Sequence, residues 1–159
     1  MILTELKNAL KEEFSAWYGY NSIKDFLSGP YAKELGKFYL TTGDDELEDH
    51  AYWLMKRISE FEGNIKDITN TPASWLSAKH PYLQPVWTKN EDGILVVDTK
   101  TSIETNIKNE EGAIQTYKKI IKMTDDVDDV TCKKCKDILK DEEDHLESLK
   151  EFLNKINKG

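Results

Sequence analysis

Glu142 and His145 stand three residues apart inside Ile138-Leu-Lys-Asp-Glu-Glu-Asp-His-Leu146, a stretch of strong helical period, and that spacing sets a carboxylate and an imidazole on one helix face. The apolar residues Ile138, Leu139, Leu146, Leu149, Phe152, Leu153 and Ile156 form a stripe, and the acid and the histidine fall within it, so both are expected to point inward. An unpaired buried charge costs several kcal/mol, and a bound metal ion is the obvious reason to place the pair there. One such pair in a charged helix more often marks the rim of a core. The reading therefore depends on partners elsewhere in the chain.

Those partners exist. Glu13 shares a face with Trp17 and Tyr20 at i, i+4 and i+7, and Glu110 stands seven residues before Tyr117, which repeats the Glu13 to Tyr20 spacing. Glu46 stands four residues before His50. Each has a bland alternative: a solvated flank for Glu13, a hydrogen-bonded core imidazole for His50, a place in the exposed run 44–46 for Glu46. Taken jointly, four helices offer Glu13, then Glu46 with His50, then Glu110, then Glu142 with His145. A Glu from each of two helices and a Glu/His pair from each of the other two is the carboxylate di-iron pattern. Hard, redox-active cations take oxygen ligands, bridging carboxylates hold two of them close, and one imidazole on each tolerates both Fe(II) and Fe(III).

The elements that must position these groups follow from periodicity. Residues 3–27 form a first helix, ended by Ser28-Gly29-Pro30. A second pattern runs from residue 35 to 61 and stops at Gly63, interrupted at 41–44, where Gly43 implies a kink, a local bulge or two separate helices. Residues 64–101 lose the helical period; Pro72, Pro81 and Pro85 mark an ordered crossover with a short helical turn at 74–78 and an extended piece at 94–97. His80, alone before Pro81, reads as structural or exposed. The third helix covers 102–123 and the fourth runs from about 130 to 156, opened by Cys132 and Cys135, which read as small buried hydrophobes or, more sharply, as thiols whose pKa the helix N-terminus lowers. The fold class is all-α: a four-helix bundle with one long crossover between helices two and three, in a single domain spanning 1–159.

With 33% charged residues, no run approaches the roughly 18 apolar residues of a membrane span. Glu5 and Lys7 break the apolar start of the chain, which argues against a signal peptide, and a cytoplasmic location is expected. A net charge of -8 without a basic tail argues against nucleic acid and suits attraction of cations. Two cysteines exclude a disulfide scaffold.

The chain resembles the ferritin-like superfamily, and within it the Dps-like proteins, through Glu13-Phe-Ser-Ala-Trp-Tyr-Gly-Tyr20, Gly29-Pro30, His50-Ala51 with Arg57-Ile58, Glu110-Glu-Gly-Ala-Ile-Gln-Thr-Tyr117 and Ile138 to His145. The resemblance spans about residues 4–155 and is weakest in the crossover. It implies a ferroxidase centre with Glu13 and Glu110 as terminal ligands, Glu142 as a bridge, and His50 and His145 as one imidazole for each iron. Other divalent ions suit the same donors. It further implies an iron-storage and oxidative-stress protein that oxidises Fe(II) with peroxide or oxygen in a homo-oligomeric shell, a dodecamer first. Trp75, Tyr82 and Trp87 are candidates for the surface buried between subunits. Two other readings stand beside it: a ferritin-like structural or binding module with one metal or none, and a rubrerythrin-like peroxide reductase.

Two departures bear on the site. The family places its second-helix glutamate three residues before the histidine, where this chain has Leu47, and it often carries a cysteine two residues after the third-helix glutamate, where this chain has Gly112. Counted from Pro30, the chain carries one residue more before His50 than the Dps-like pattern does. A helix absorbs such an insertion as a π-bulge, so Glu46 is expected to replace the missing bridge.

Overall fold

The computed structural model describes residues 1–61 and 63–159, all side chains included except that of residue 70. In chain order it contains α1 (Ile2–Ile23), β1 (Leu27–Ser28), α2 (Ala32–Asp44), a π-helical segment (Asp45–Ala51), α3 (Tyr52–Glu60), α4 (Lys66–Asn70), a 3-10 turn (Pro72–Ser77), β2 (Trp87–Lys89), β3 (Leu95–Asp98), α5 (Thr99–Thr124) and α6 (Asp129–Lys158). The first rod of the bundle is α1, the second is α2 with the π segment and α3, and the third and fourth are α5 and α6.

Local chemistry fixes the ends of the later helices. Asp98 opens α5 by accepting the Thr101 N–H at 3.0 Å, and Asp128 opens α6 by accepting the Thr131 N–H at 3.1 Å. Arg57 of α3 adds a 2.8 Å bond to the same Asp128 carboxylate, tying the second rod to the start of the fourth. That cap is an ion pair as well as a hydrogen bond, and although burial works against its charge, the bonds from Thr131 and Arg57 hold the Asp128 carboxyl below the usual carboxylate range.

The apolar core falls into two clusters. Leu6, Leu10, Phe14, Leu54, Ile58, Ile120 and Ile138 belong to one. Tyr20, Ile23, Leu35, Tyr39, Ile103 and Leu149 belong to the other. Along every rod the candidate ligands sit between a member of one cluster and a member of the other: Glu13 between Leu10 and Tyr20, His50 between Tyr39 and Leu54, Glu110 between Ile103 and Ile120, Glu142 and His145 between Ile138 and Leu149. The bundle thus holds a polar layer sealed at both ends by hydrocarbon.

The crossover is more structured than its sequence suggests. The first helix stops at Ile23, and residues 27–28 become a strand that pairs in parallel with β3, Leu27 against Val97, while β2 pairs antiparallel with β3. The turn expected at 74–78 lies at Pro72–Ser77, and α5 starts at Thr99 because Asp98 caps it there. Of the crossover aromatics, Trp75 and Trp87 are half-buried against the core clusters and Tyr82 is buried. Trp75 stacks on Phe14 at 5.4 Å between ring centroids, Trp87 leans on Phe26 at 5.2 Å, and Tyr82 is only 7% exposed. Tyr82 lies so close to α1 that a Cβ on Gly19 would come within 2.3 Å of its ring.

Candidate metal centre

Glu13 from α1, Glu46 and His50 from the π segment, Glu110 from α5, and Glu142 and His145 from α6 are all buried, none more than 8% exposed. Their donor atoms form two sets, each within 4.8 Å across: Glu13, Glu46, His50 and Glu142, and Glu46, Glu110, Glu142 and His145. Glu46 and Glu142 belong to both. All six residues singled out by spacing therefore converge, with two carboxylates able to span two cations and each cation offered one further carboxylate and one imidazole.

The two imidazoles face the layer through Nδ1. His50 Nδ1 lies 3.0 Å from Glu142 Oε1, 3.4 Å from Glu13 Oε2 and 3.6 Å from Glu46 Oε2. His145 Nδ1 lies 3.3 Å from Glu46 Oε1 and 3.7 Å from Glu110 Oε1. Behind them, His50 Nε2 is 2.9 Å from Asp141 Oδ2, and His145 Nε2 is 3.6 Å from Asp45 Oδ2. An Nε2–H donated to Asp141 leaves the Nδ1 lone pair of His50 directed inward, the tautomer a metal ligand needs.

The arrangement is crossed in two ways. Asp141 of α6 serves the histidine of the π segment, and Asp45 of the π segment lies behind the histidine of α6. In the same manner the Tyr20 hydroxyl of α1 donates to Glu110 Oε1 of α5 at 2.6 Å, and the Tyr117 hydroxyl of α5 donates to Glu13 Oε1 of α1. The i, i+7 repeat was the visible trace of the second crossing. The first had a signal too, an Asp-Glu doublet at 45–46 and again at 141–142, hidden within runs that read as solvated acid.

Electrostatics describe what the layer lacks without cations. Burial, then the charge of neighbouring carboxylates, pushes the Glu13 and Glu110 carboxyls well above the ordinary range. Burial also opposes the charge on Glu142, but the nearby Glu110 carboxyl and the imidazoles of His145 and His50 outweigh it and hold that carboxyl well below the range. Burial works against charging both histidines, yet the surrounding carboxylates raise them well above the usual imidazole value. Tyr20 and Tyr117, raised by burial and by Glu110 and Glu13 respectively, remain protonated donors.

The donors fit divalent cations. Glu13 Oε2, Glu46 Oε1, His50 Nδ1, Glu110 Oε2, both oxygens of Glu142 and His145 Nδ1 are buried without a hydrogen-bond partner among the described residues, although such atoms are rare in folded proteins. All face one another. Four carboxylates also balance the charge of two divalent ions. Cys132 and Cys135 take no part: both are buried, and burial pushes the Cys135 thiol up to about 12, opposite to the lowered pKa of a reactive thiol.

Four helical rods carrying two such Glu/His sets define a dinuclear-type carboxylate bundle. The chain belongs to the ferritin-like domain family, whose family model matches residues 3–159. Among solved structures it is similar to the dodecameric thioferritin of Bacteroides fragilis, a bacterioferritin-related protein, at 26% identity and a TM-score of 0.86, covering 99% of this chain and 86% of that one. It shares its fold with a ferritin-like, diiron-carboxylate protein of Bacillus anthracis, at 23% identity and a TM-score of 0.70 over 96% of this chain and 94% of that one. The Dps of Thermosynechococcus elongatus shares it too, at 20% identity and a TM-score of 0.77 over 96% and 89%. No curated protein sequence matches the chain. No helix among the described residues is long and apolar enough to cross a membrane.

Proposed function

We propose that the chain is a ferroxidase of an iron-storing, homo-oligomeric shell, with Fe(II) as its substrate and peroxide or dioxygen as oxidant. The observation that carries this reading is the set of partnerless buried donors on six side chains, divided into two sites that share Glu46 and Glu142. Glu13 with His50 would complete one iron site and Glu110 with His145 the other. Two Fe(II) give one electron each, and with two protons one peroxide becomes two waters. Pairing matches the two-electron demand of the oxidant, so no one-electron oxygen species need escape. Tyr117 and Tyr20 hold the second oxygens of Glu13 and Glu110, which keeps each terminal carboxylate aimed with one oxygen inward.

That the similar B. fragilis protein is a dodecamer supports an assembled shell of the same size. The test joins stoichiometry, turnover and mass. Purified protein should bind two metal ions per chain, oxidise Fe(II) faster than buffer, and scatter light as a dodecamer. Glu46→Ala should lose at least one metal equivalent and slow oxidation by ten-fold or more, while Glu48→Ala, an exposed neighbour, should behave as wild type. Equal behaviour of the two variants would remove Glu46 from the ligand set. A monomer at micromolar concentration would remove the shell.

A further inference from the structure

Residues 79–83 of the crossover form a strap across the groove between α1 and α5, and side chains hold its backbone. The Lys79 N–H donates to Asn8 Oδ1 at 2.7 Å, His80 N–H to Glu12 Oε2 at 3.1 Å, Tyr82 N–H to Ser15 Oγ at 2.9 Å and Leu83 N–H to Asn109 Oδ1 at 2.7 Å. Pro81 has no N–H to place. Asn8, Glu12 and Ser15 stand at i, i+4 and i+7, one face of α1. Held this way, the strap lowers the His80 imidazole onto α5 at Gly112, where a Cβ would come within 2.8 Å of the His80 Cβ. The ring rests with Nδ1 3.1 Å from Thr116 Oγ1 and 3.4 Å from Glu12 Oε2.

That imidazole separates two spaces. On the inner side is a cavity of about 20 Å³ bordered by Glu13, Glu46, Glu110 and Glu142. On the outer side is an open depression of about 180 Å³ bordered by Lys79 and Lys108. His80 and Asn109 border both. The inner space is where the cations would sit, so a molecule reaching them from this side passes between His80 and Asn109. The two lysines at the outer mouth disfavour a divalent cation there.

We propose that the strap forms the oxidant port of the metal centre, admitting small unbranched oxygen species, with His80 and Asn109 setting the size and rate of access. The inference rests on the metal-centre reading above, and its test keeps the two separable. Full-length protein loaded with Co(II) is mixed with azide, and the association rate is followed by the visible absorption of the cobalt. His80→Ala should admit azide at least ten-fold faster than wild type, and Asn109→Ala should move in the same direction. Lys79→Glu with Lys108→Glu should slow it several-fold at low salt. None of these residues is in the donor set, so Co(II) uptake should stay at two per chain in all three. In Fe(II) oxidation, His80→Ala should gain activity with tert-butyl hydroperoxide that wild type lacks, at a hydrogen peroxide rate within two-fold of wild type. Unchanged azide rates in folded variants that bind Co(II) normally would overturn the port and leave the metal centre standing. Protein that takes up no Co(II) would overturn both.

Discussion

Asp141 touches no donor in the proposed metal sets except through His50, yet it decides which nitrogen of that ring carries the proton. Its carboxyl, bonded to the His50 Nε2, lies below the usual range, so the carboxylate persists as the acceptor across the neutral pH range. Removing the charge while keeping the shape, in Asp141→Asn, leaves a weaker acceptor and lets the His50 proton move to the inward nitrogen. Outer partners of metal-bound histidines contribute roughly 10–100-fold in affinity, so Asp141→Asn should weaken one of two metal equivalents by that factor and spare the other. Calorimetric titration with Co(II) resolves the two; equal weakening of both, or of neither, would contradict the assignment. Asp45 stands 3.6 Å from His145 Nε2, too far for a hydrogen bond, and Asp45→Asn should do less.

At the scale of the element, the π segment Asp45–Ala51 accounts for the placement of Glu46. A residue added to an α-helix turns everything beyond it by about 100°, which would carry either the Leu35 and Tyr39 face or the Leu54 and Ile58 face out of the core. Widening one turn absorbs the extra residue and keeps both faces buried. It also leaves Glu46 inside and Leu47 packed at the side of the core. Deleting Leu47 should therefore convert the segment to ordinary α-helix with Glu46 three residues before the histidine. The variant should fold, keep two metal equivalents and lose a few degrees of melting temperature for the missing leucine contacts. A variant unable to bind metal would show that the widened turn, rather than the phase it restores, builds the site.

Much of this was legible in the sequence for one physical reason. Buried charge on an amphipathic helix interrupts an apolar stripe, and Glu13, Glu110, Glu142 and both histidines each do so. Glu46 was readable only through its offset from Leu47, because it lies in an acidic run. Asp141, Asp45 and Glu12 carried no such mark: an acid beside an acid on a helix reads as surface. His80 was the hardest to place, since its role comes from where the strap, a loop without period, crosses Gly112 of α5, 32 residues further along the chain.

The whole molecule carries a polar layer through its core, and its stability should depend on how that layer is neutralised. Without metal, the raised carboxyls of Glu13 and Glu110 and the raised imidazoles of His50 and His145 hold protons more tightly folded than unfolded. Such groups contribute stability below their unfolded pKa values, lost as pH rises through the folded ones. Glu142 acts in the opposite sense, present above its unfolded value and lost only as pH falls through its lowered folded value. Metal-free protein should therefore melt at falling temperature as pH rises from about 6 to 9. Each proton released on unfolding contributes about 1.4 kcal/mol per pH unit, or about 3–5 °C for a domain of this size. Cations replace those protons, so protein loaded with Co(II) should show little of this slope and melt higher throughout. At a free metal concentration a hundred times the dissociation constant, the added stability is about 2.7 kcal/mol, or roughly 5–11 °C. Calorimetric melting of metal-free and Co(II)-loaded protein at pH 6, 7, 8 and 9 measures both slopes. Parallel lines would mean that the layer is neutralised by something other than these six side chains and the ions they hold.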